Sequence, residues 1–131
     1  MCIRDRYESV QKWFDIAAGE GAKAEIGGAV EKRPQWGDGW YVPPTIYSGV
    51  TNNMRVAQEE VFGPVLAVIP FEDEAEAISI ANDTDYGLVA GIWTQNLSRA
   101  HRVAAALQAG QVFVNEYQLS LIHISEPTRP Y

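Results

Sequence analysis

Glu59-Glu60-Val61-Phe62-Gly63-Pro64 is the stretch of this chain whose residue types could hold a ligand. An ionised carboxylate accepts two hydrogen bonds, which suits a pair of sugar hydroxyls. An aromatic ring two positions after Glu60 offers a flat apolar surface to a ring-bearing ligand. Gly63 is expected to permit an unusual backbone angle, and Pro64 to set the direction of the segment that follows. On chemistry alone, two adjacent glutamates before a strand read as a solvated pair, and Phe62 reads as core packing.

Other residue types with chemical potential have simpler roles. His101 falls on the polar face of a helix, without a metal-ligand partner, and is expected at the surface. Glu72, Asp73, Glu74 and Glu76 suit a solvated helix start favoured by the helix dipole better than a metal site. Trp13, Trp36, Trp40 and Trp93 are scattered and fit core or interface positions. Gly19-x-Gly21 and Gly37-x-Gly39 lack the full dinucleotide fingerprint. Tyr86 is expected to pack its ring in a turn, and Asn115 either orients a loop at a strand end or simply ends the strand.

The chain of 131 residues has room for one ordinary domain. Apolar residues make up 47%, a level that argues against disorder. Ten Lys and Arg stand against 17 Asp and Glu, a formal charge of −7, which argues against nucleic acid or an anionic membrane as the main partner. No apolar run approaches a bilayer span, and no hydrophobic stretch follows the charged N-terminus, so a cytoplasmic protein is expected. A single cysteine, Cys2, leaves no internal disulfide.

The elements that must position these residues follow from periodicity. Tyr7, Val10, Trp13, Phe14, Ala17 and Ala18 recur at helical spacing, with Gly19 or Gly21 as the stop. Residues 23–26 suit a short strand and residues 31–39 a surface loop. Residues 40–42 and 45–47 have strand character, which Pro43-Pro44 should confine to an edge or an irregular strand. Residues 65–69 suit a strand covered on both faces. Asp73 and Glu76 form a capping-box pattern for the next helix, with Ala75, Ala77, Ile78 and Ala81 on its buried side. Residues 88–94 read as a second strand. Asn96 can cap a helix whose stripe is Leu97, Ala100, Val103, Ala104 and Leu107, with Gly110 at its C-terminal stop. Val112-Phe113-Val114 supplies a third strand. Strand, helix, strand, helix, strand predicts a βαβαβ unit with parallel strands, hence an α/β fold.

The two ends read differently. Residues 119–129, Leu-Ser-Leu-Ile-His-Ile-Ser-Glu-Pro-Thr-Arg, resemble a translated sequencing adapter of the transposon type. Residues 1–6, Met-Cys-Ile-Arg-Asp-Arg, match the opposite strand of the same adapter. Residues 1–6 and 119–131 are therefore expected to be artefactual. Setting them aside removes Cys2 and His123, and leaves the remaining residues 7–118 slightly more acidic.

Within residues 7–118 four strings carry a family resemblance. Glu59-Glu60-Val61-Phe62-Gly63-Pro64-Val65 resembles the Glu-Glu-Ile-Phe-Gly-Pro-Val motif of the NAD(P)-dependent aldehyde dehydrogenase superfamily, preceded by the similar lead-in Met54-Arg55-Val56-Ala57. Gly39-Trp40-Tyr41-Val42-Pro43-Pro44-Thr45 is similar to Gly-Tyr-Phe-x-x-Pro-Thr. Ala81-Asn82-Asp83-Thr84-Asp85-Tyr86-Gly87-Leu88 resembles Ala-Asn-x-x-x-Tyr-Gly-Leu, and Ala106-Leu107-Gln108-Ala109-Gly110 leads to Val112-Phe113-Val114-Asn115, another family string. Order and spacing agree throughout.

The resemblance implies part of that superfamily's catalytic domain. It implies Glu60 at the nicotinamide-side ribose and Phe62 packed against the cofactor, NAD or NADP, so it reverses the solvated reading for Glu60 but not for Glu59. It implies a parent that oxidises an aldehyde to a carboxylic acid through a cysteine thiohemiacetal, and that forms a homo-oligomer. The family's cysteine, general-base glutamate and oxyanion asparagine are expected upstream of Tyr7, so residues 7–118 hold no catalytic residue and are expected to be inactive. Ser9 stands near where the family has a cofactor-assisting lysine. A semialdehyde or acylating dehydrogenase, and a non-catalytic assembly domain with this fold, are the alternatives.

Overall fold

The computed structural model describes residues 3–30, 34, 37 and 39–116. Cys2, Trp36, His123, most of the expected 31–39 loop and the whole of 119–131 lie outside the described residues. The chain divides into two compact units, Met1–Phe71 and Glu72–Tyr131.

In the first unit, helix α1 (Ile3–Gly19) buries Val10, Phe14 and Ala17, which share one helix face. It begins ahead of Tyr7, where Asp5 suits a first turn and Arg4 reaches Glu8 at 3.5 Å across one turn. Gly21 stops it. Its φ of 93° lets its N–H reach Ala18 O (3.1 Å) while Ala22 N–H reaches Ala17 O (2.9 Å), the two bonds of a Schellman cap. The Gly19-x-Gly21 pair is thus a helix end.

Strands β1 (Lys23–Ile26), β2 (Thr45–Ser48) and β3 (Val65–Ala67) form a sheet in the order β1-β2-β3, antiparallel at the first pairing and parallel at the second. A one-turn helix α2 (Arg55–Gln58) joins β2 to β3. Of the two expectations for residues 45–47, an edge or an irregular strand, the edge is corrected: β2 is central, and its pairing with β1 is irregular between Ala24 and Ile26. Pro43 and Pro44 precede the ladder, so their missing N–H groups interrupt nothing, and Thr45 N–H donates to Pro64 O at 2.8 Å. The both-faces expectation for residues 65–69 is also corrected. Val65, Ala67 and Ile69 pack on the core of Val10, Phe14, Ala17, Ala22, Tyr47, Val50 and Val56, while Leu66 is 57% exposed.

Two hydroxyls on β2 contrast. Thr45, buried, accepts from Gly28 N–H and donates to Pro43 O, both at 3.1 Å. Gly27 and Gly28 have φ of 72° and 81°, and a Cβ on Gly27 would lie 2.4 Å from Thr45 Oγ1. Tyr47, also buried, leaves its hydroxyl unpaired among the described residues. Burial, with the Asp15 carboxylate adding to it, pushes the Tyr47 phenol above its ordinary pKa.

The second unit holds helix α3 (Glu74–Asn82), strand β4 (Val89–Ile92), helix α4 (Leu97–Ala106) and strand β5 (Gln111–Val114). β4 and β5 run parallel, Val89 opposite Gln111 through Ile92 opposite Val114, so the second crossover is as expected. β3 hydrogen-bonds to β2 within the first unit, and β4 to β5 within the second. Thr45–Tyr47 supplies β3 with a parallel partner from earlier in the chain, which periodicity after residue 65 does not reveal.

Both cap predictions hold: Asp73 accepts from Glu76 N–H and Asn96 from Arg99 N–H, each at 2.9 Å. The Glu76 carboxylate reaches back to Glu72 N–H (2.6 Å), one residue before the cap. Gly110 is not the stop of α4. That helix ends at Ala106, with Leu107 extended, and Gly110 donates to Gly87 O at 2.8 Å. A Cβ on Gly87 would lie 3.0 Å from Gln108 O, so the pair serves close backbone approach.

Two motif asparagines act as backbone substitutes. Asn82 donates to Ala106 O (2.9 Å) and accepts from Gln108 N–H (2.8 Å), closing the exit of α4 onto the end of α3. Asn115, at φ 55°, accepts from Thr94 N–H (2.8 Å) and donates to Thr94 O (2.9 Å), continuing the β4–β5 ladder with its side chain. The expected buried sides of the helices are thinner than predicted. Of the named residues only Ala100 is buried, whereas Ala75, Ala81 and Leu97 are exposed, because nothing in this unit covers them. Across α3 and α4, Arg102 holds the Glu74 carboxylate through Nε (2.7 Å) and Nη2 (2.8 Å), and Arg99 Nε adds a third contact at 3.1 Å.

Replacing Thr45 by Val strands the Gly28 N–H and should cost about 1–3 kcal/mol in denaturant unfolding, whereas Tyr47→Phe removes an unpaired hydroxyl and should be neutral or stabilising. The Arg102 guanidinium, then Arg99, hold the Glu74 carboxyl below its ordinary value. Its stabilising contribution is therefore present above the ordinary carboxylate range and is lost as pH falls through the lowered value. An NMR titration should place Glu74 below the ordinary glutamate range, and Arg102→Ala should move it back up.

Candidate functional site

The loop after α2 carries both predicted site residues. A one-turn helix has no stability of its own, so its surroundings must hold it. Val56 is buried in the core. Glu20, at the end of α1, accepts from Arg55 N–H at 2.9 Å and so supplies the cap that Met54 lacks. Gln58 Nε2 donates to Asn52 O at 2.7 Å, and Glu59 N–H donates to Arg55 O at 2.8 Å. The chain then leaves the helix extended at Glu59.

The two glutamates part company here. Glu59 is held by Arg55 through Nε (2.6 Å) and Nη2 (3.1 Å). That bond keeps the Glu59 carboxyl below its ordinary pKa and raises that of Arg55. The Arg55 guanidinium also lies over the Trp13 ring, 5.1 Å from its centroid. Glu60 is exposed, and its carboxylate has no partner among the described residues. Both of its oxygens are therefore available to hydroxyl donors.

Phe62 is 61% exposed, so the core-packing reading does not describe it. Its φ is 52°, in the left-handed region that a bulky residue enters only under constraint. The expected role of Gly63 is corrected: the unusual angle belongs to Phe62, and Gly63 has no positive φ. A Cβ on Gly63 would lie 2.7 Å from Val10 Cγ2, so glycine is needed for the loop to lie against α1. Arg6 stacks on Phe62 at 4.9 Å, but it falls in the segment expected to be adapter-derived, and no function is assigned to that contact.

The remaining candidates resolve into structure. His101 is exposed on α4, and Ser9 is half-buried on α1. The acidic cluster caps and bridges helices, and no group of three metal-ligating side chains occurs among the described residues. No described helix is long and apolar enough to cross a membrane. Tyr86 is 54% exposed in the turn before β4, so its ring is not packed in the core of that unit. Asn115 ends its strand. The residue that sequence reasoning passed over is Arg55, which the i, i+4 spacing to Glu59 could have flagged.

An α/β protein with parallel pairings thus presents, on one constrained loop, a carboxylate without a partner among the described residues and an exposed aromatic ring. The comparisons make this specific. The sequence profile of the aldehyde dehydrogenase family matches residues 1–127, and the chain belongs to that family. It is 48% identical over 121 residues to an acetaldehyde dehydrogenase of Pseudomonas aeruginosa, covering 92% of this chain and 24% of that protein. To a betaine aldehyde dehydrogenase of Mesorhizobium japonicum it is 44% identical over 119 residues, covering 91% and 24%. The fold matches betaine aldehyde dehydrogenase from Staphylococcus aureus in complex with NAD+ at a TM-score of 0.85 and 37% identity, covering 88% of this chain and 23% of that one. The chain thus spans roughly a quarter of the length of these relatives.

Because Val is β-branched and stiff, Gly63→Ala should cost about 1–3 kcal/mol by overpacking against Val10. In denaturant unfolding, Val10→Ala/Gly63→Ala should lose less than the sum of the single losses; strict additivity would show that the two residues do not touch.

Proposed function

We propose that this chain is the part of an NAD(P)-dependent aldehyde dehydrogenase that holds the nicotinamide half of the cofactor, with Glu60 accepting from the ribose hydroxyls and Phe62 packing beside them. The single observation that carries this is the division between the glutamates: Arg55 occupies Glu59, while Glu60 stands exposed and unpaired two residues before an exposed, left-handed Phe62. Carboxylate and ring fit the group in donor chemistry, since a diol needs an acceptor pair and a ring needs a flat apolar neighbour. The NAD+ complexes of relatives with this fold support the same reading.

The nicotinamide, when bound, supplies hydride-accepting chemistry. The work of Glu60 and Phe62 is to hold it in register, a positioning contribution. The aldehyde is oxidised to a carboxylic acid in the parent, a cytoplasmic homo-oligomer, by a cysteine nucleophile and a general-base glutamate that residues 7–118 do not include. Residues 1–6 and 119–131 are adapter-derived in this reading, and resequencing the source locus tests that assignment.

In the complete enzyme, Glu60→Gln should raise the KM for NAD(P)+ by about tenfold, the loss expected for weakening a charged hydrogen-bonded pair, and leave the aldehyde KM unchanged. An unchanged cofactor KM would remove the role assigned to Glu60. The 131-residue chain alone should form no NADH from a panel of aldehydes.

A further inference from the structure

We infer that Arg55 is the positioning residue of the cofactor loop, acting through Glu59 and Trp13 on the placement of Glu60 and Phe62; this rests on the cofactor reading above. An exposed ion pair is ordinarily worth little. Arg55 differs in the number of elements it joins. Its backbone N–H is taken by Glu20 at the end of α1, its guanidinium lies over Trp13 of α1, and two of its nitrogens hold Glu59. The planar guanidinium can stack and pair at once, which an ammonium cannot reproduce.

The consequence falls on the next residue. Glu59 is the last fixed point before Glu60, and its carboxylate is the chemical twin of the one meant for the ligand. With Arg55 in place, Glu59 is held by the guanidinium that lies over Trp13, leaving Glu60 as the free carboxylate of the pair among the described residues. Without the side chain, α2 keeps its backbone bond to Glu20 but loses the guanidinium that lies over Trp13 of α1 and holds Glu59. Either carboxylate then becomes available to the same hydroxyls, and neither is held in place. The loop's other anchor, Gly63 against Val10, lies on the far side of Phe62. Arg55 and Gly63 therefore bracket the two site residues, and both rest on one face-to-loop contact with α1.

The test uses the complete enzyme and measures dissociation constants for NAD+ and for AMP, which lacks the nicotinamide-side ribose. Arg55→Ala should weaken NAD+ about three- to tenfold while AMP binding stays within twofold, a split that general loss of structure does not produce. Arg55→Lys should fall between wild type and Ala. Glu59→Gln, which keeps the Trp13 contact and serves if Arg55→Ala fails to fold, should show the same selective loss. In a Glu60→Gln background Arg55→Ala should weaken NAD+ by less than it does alone, because part of its effect runs through Glu60 and only the part through Phe62 remains. Equal weakening of NAD+ and AMP, or an unchanged NAD+ constant alongside a responsive Glu60→Gln, overturns the role of Arg55 alone. An unresponsive Glu60→Gln overturns the cofactor reading and this inference with it.

Discussion

The contact between Gly63 and Val10 is the constraint on which the candidate site is built. Val10 lies almost wholly buried on α1, and its methyl groups occupy the space where any larger residue at position 63 would put its side chain. The chain can pass so close only with glycine there, and the residue before it takes the left-handed angle. The Phe62 ring stands exposed beside that close approach. An exposed ring and a buried side chain thus meet at one loop, with β1, β2 and α2 between them in sequence. Strain of this kind persists only where the surroundings over-determine it, here through Pro64 bonded into β2 and α2 tied to α1.

The second unit uses a different device. Its core is thin, with only Ile92 and Ala100 buried among the described residues. What joins its elements is polar and specific: the Asn82 and Asn115 side chains complete backbone ladders, and Glu74 ties α3 to α4. Asparagine suits this task because its amide carries one donor and one acceptor end in the geometry of a peptide group. Both asparagines sit in strings that mark the family. Their geometry gives each a structural reason to be there that is independent of ligand binding.

Local signals were the legible part of the fold. The caps Asp73 and Asn96, the strand at residues 23–26 and the buried face of α1 depend on neighbours within a few residues, and the sequence displays those neighbours directly. The misread parts each depended on a remote partner. Pro43-Pro44 suggest an edge or an irregular strand; the strand is central because the ladder begins after them. Gly63 suggested a special angle, but the angle is at Phe62 and the glycine answers to Val10. The parallel partner of β3 is β2, a strand from earlier in the chain that the periodicity after residue 65 does not display.

By itself, the sequence determined the α/β class, most of the element boundaries and, through its motifs, the family. These follow from periodicity, capping chemistry and residue order, all properties of the chain read along its length. The motif singled out Glu60; tertiary structure alone decided what occupies Glu59, the left-handed angle at Phe62 and what the glycine is for. Two adjacent glutamates are chemically identical until a third residue, Arg55, claims one of them. That choice is made across space, by an arginine stacked on Trp13 of a helix some forty residues earlier in the chain.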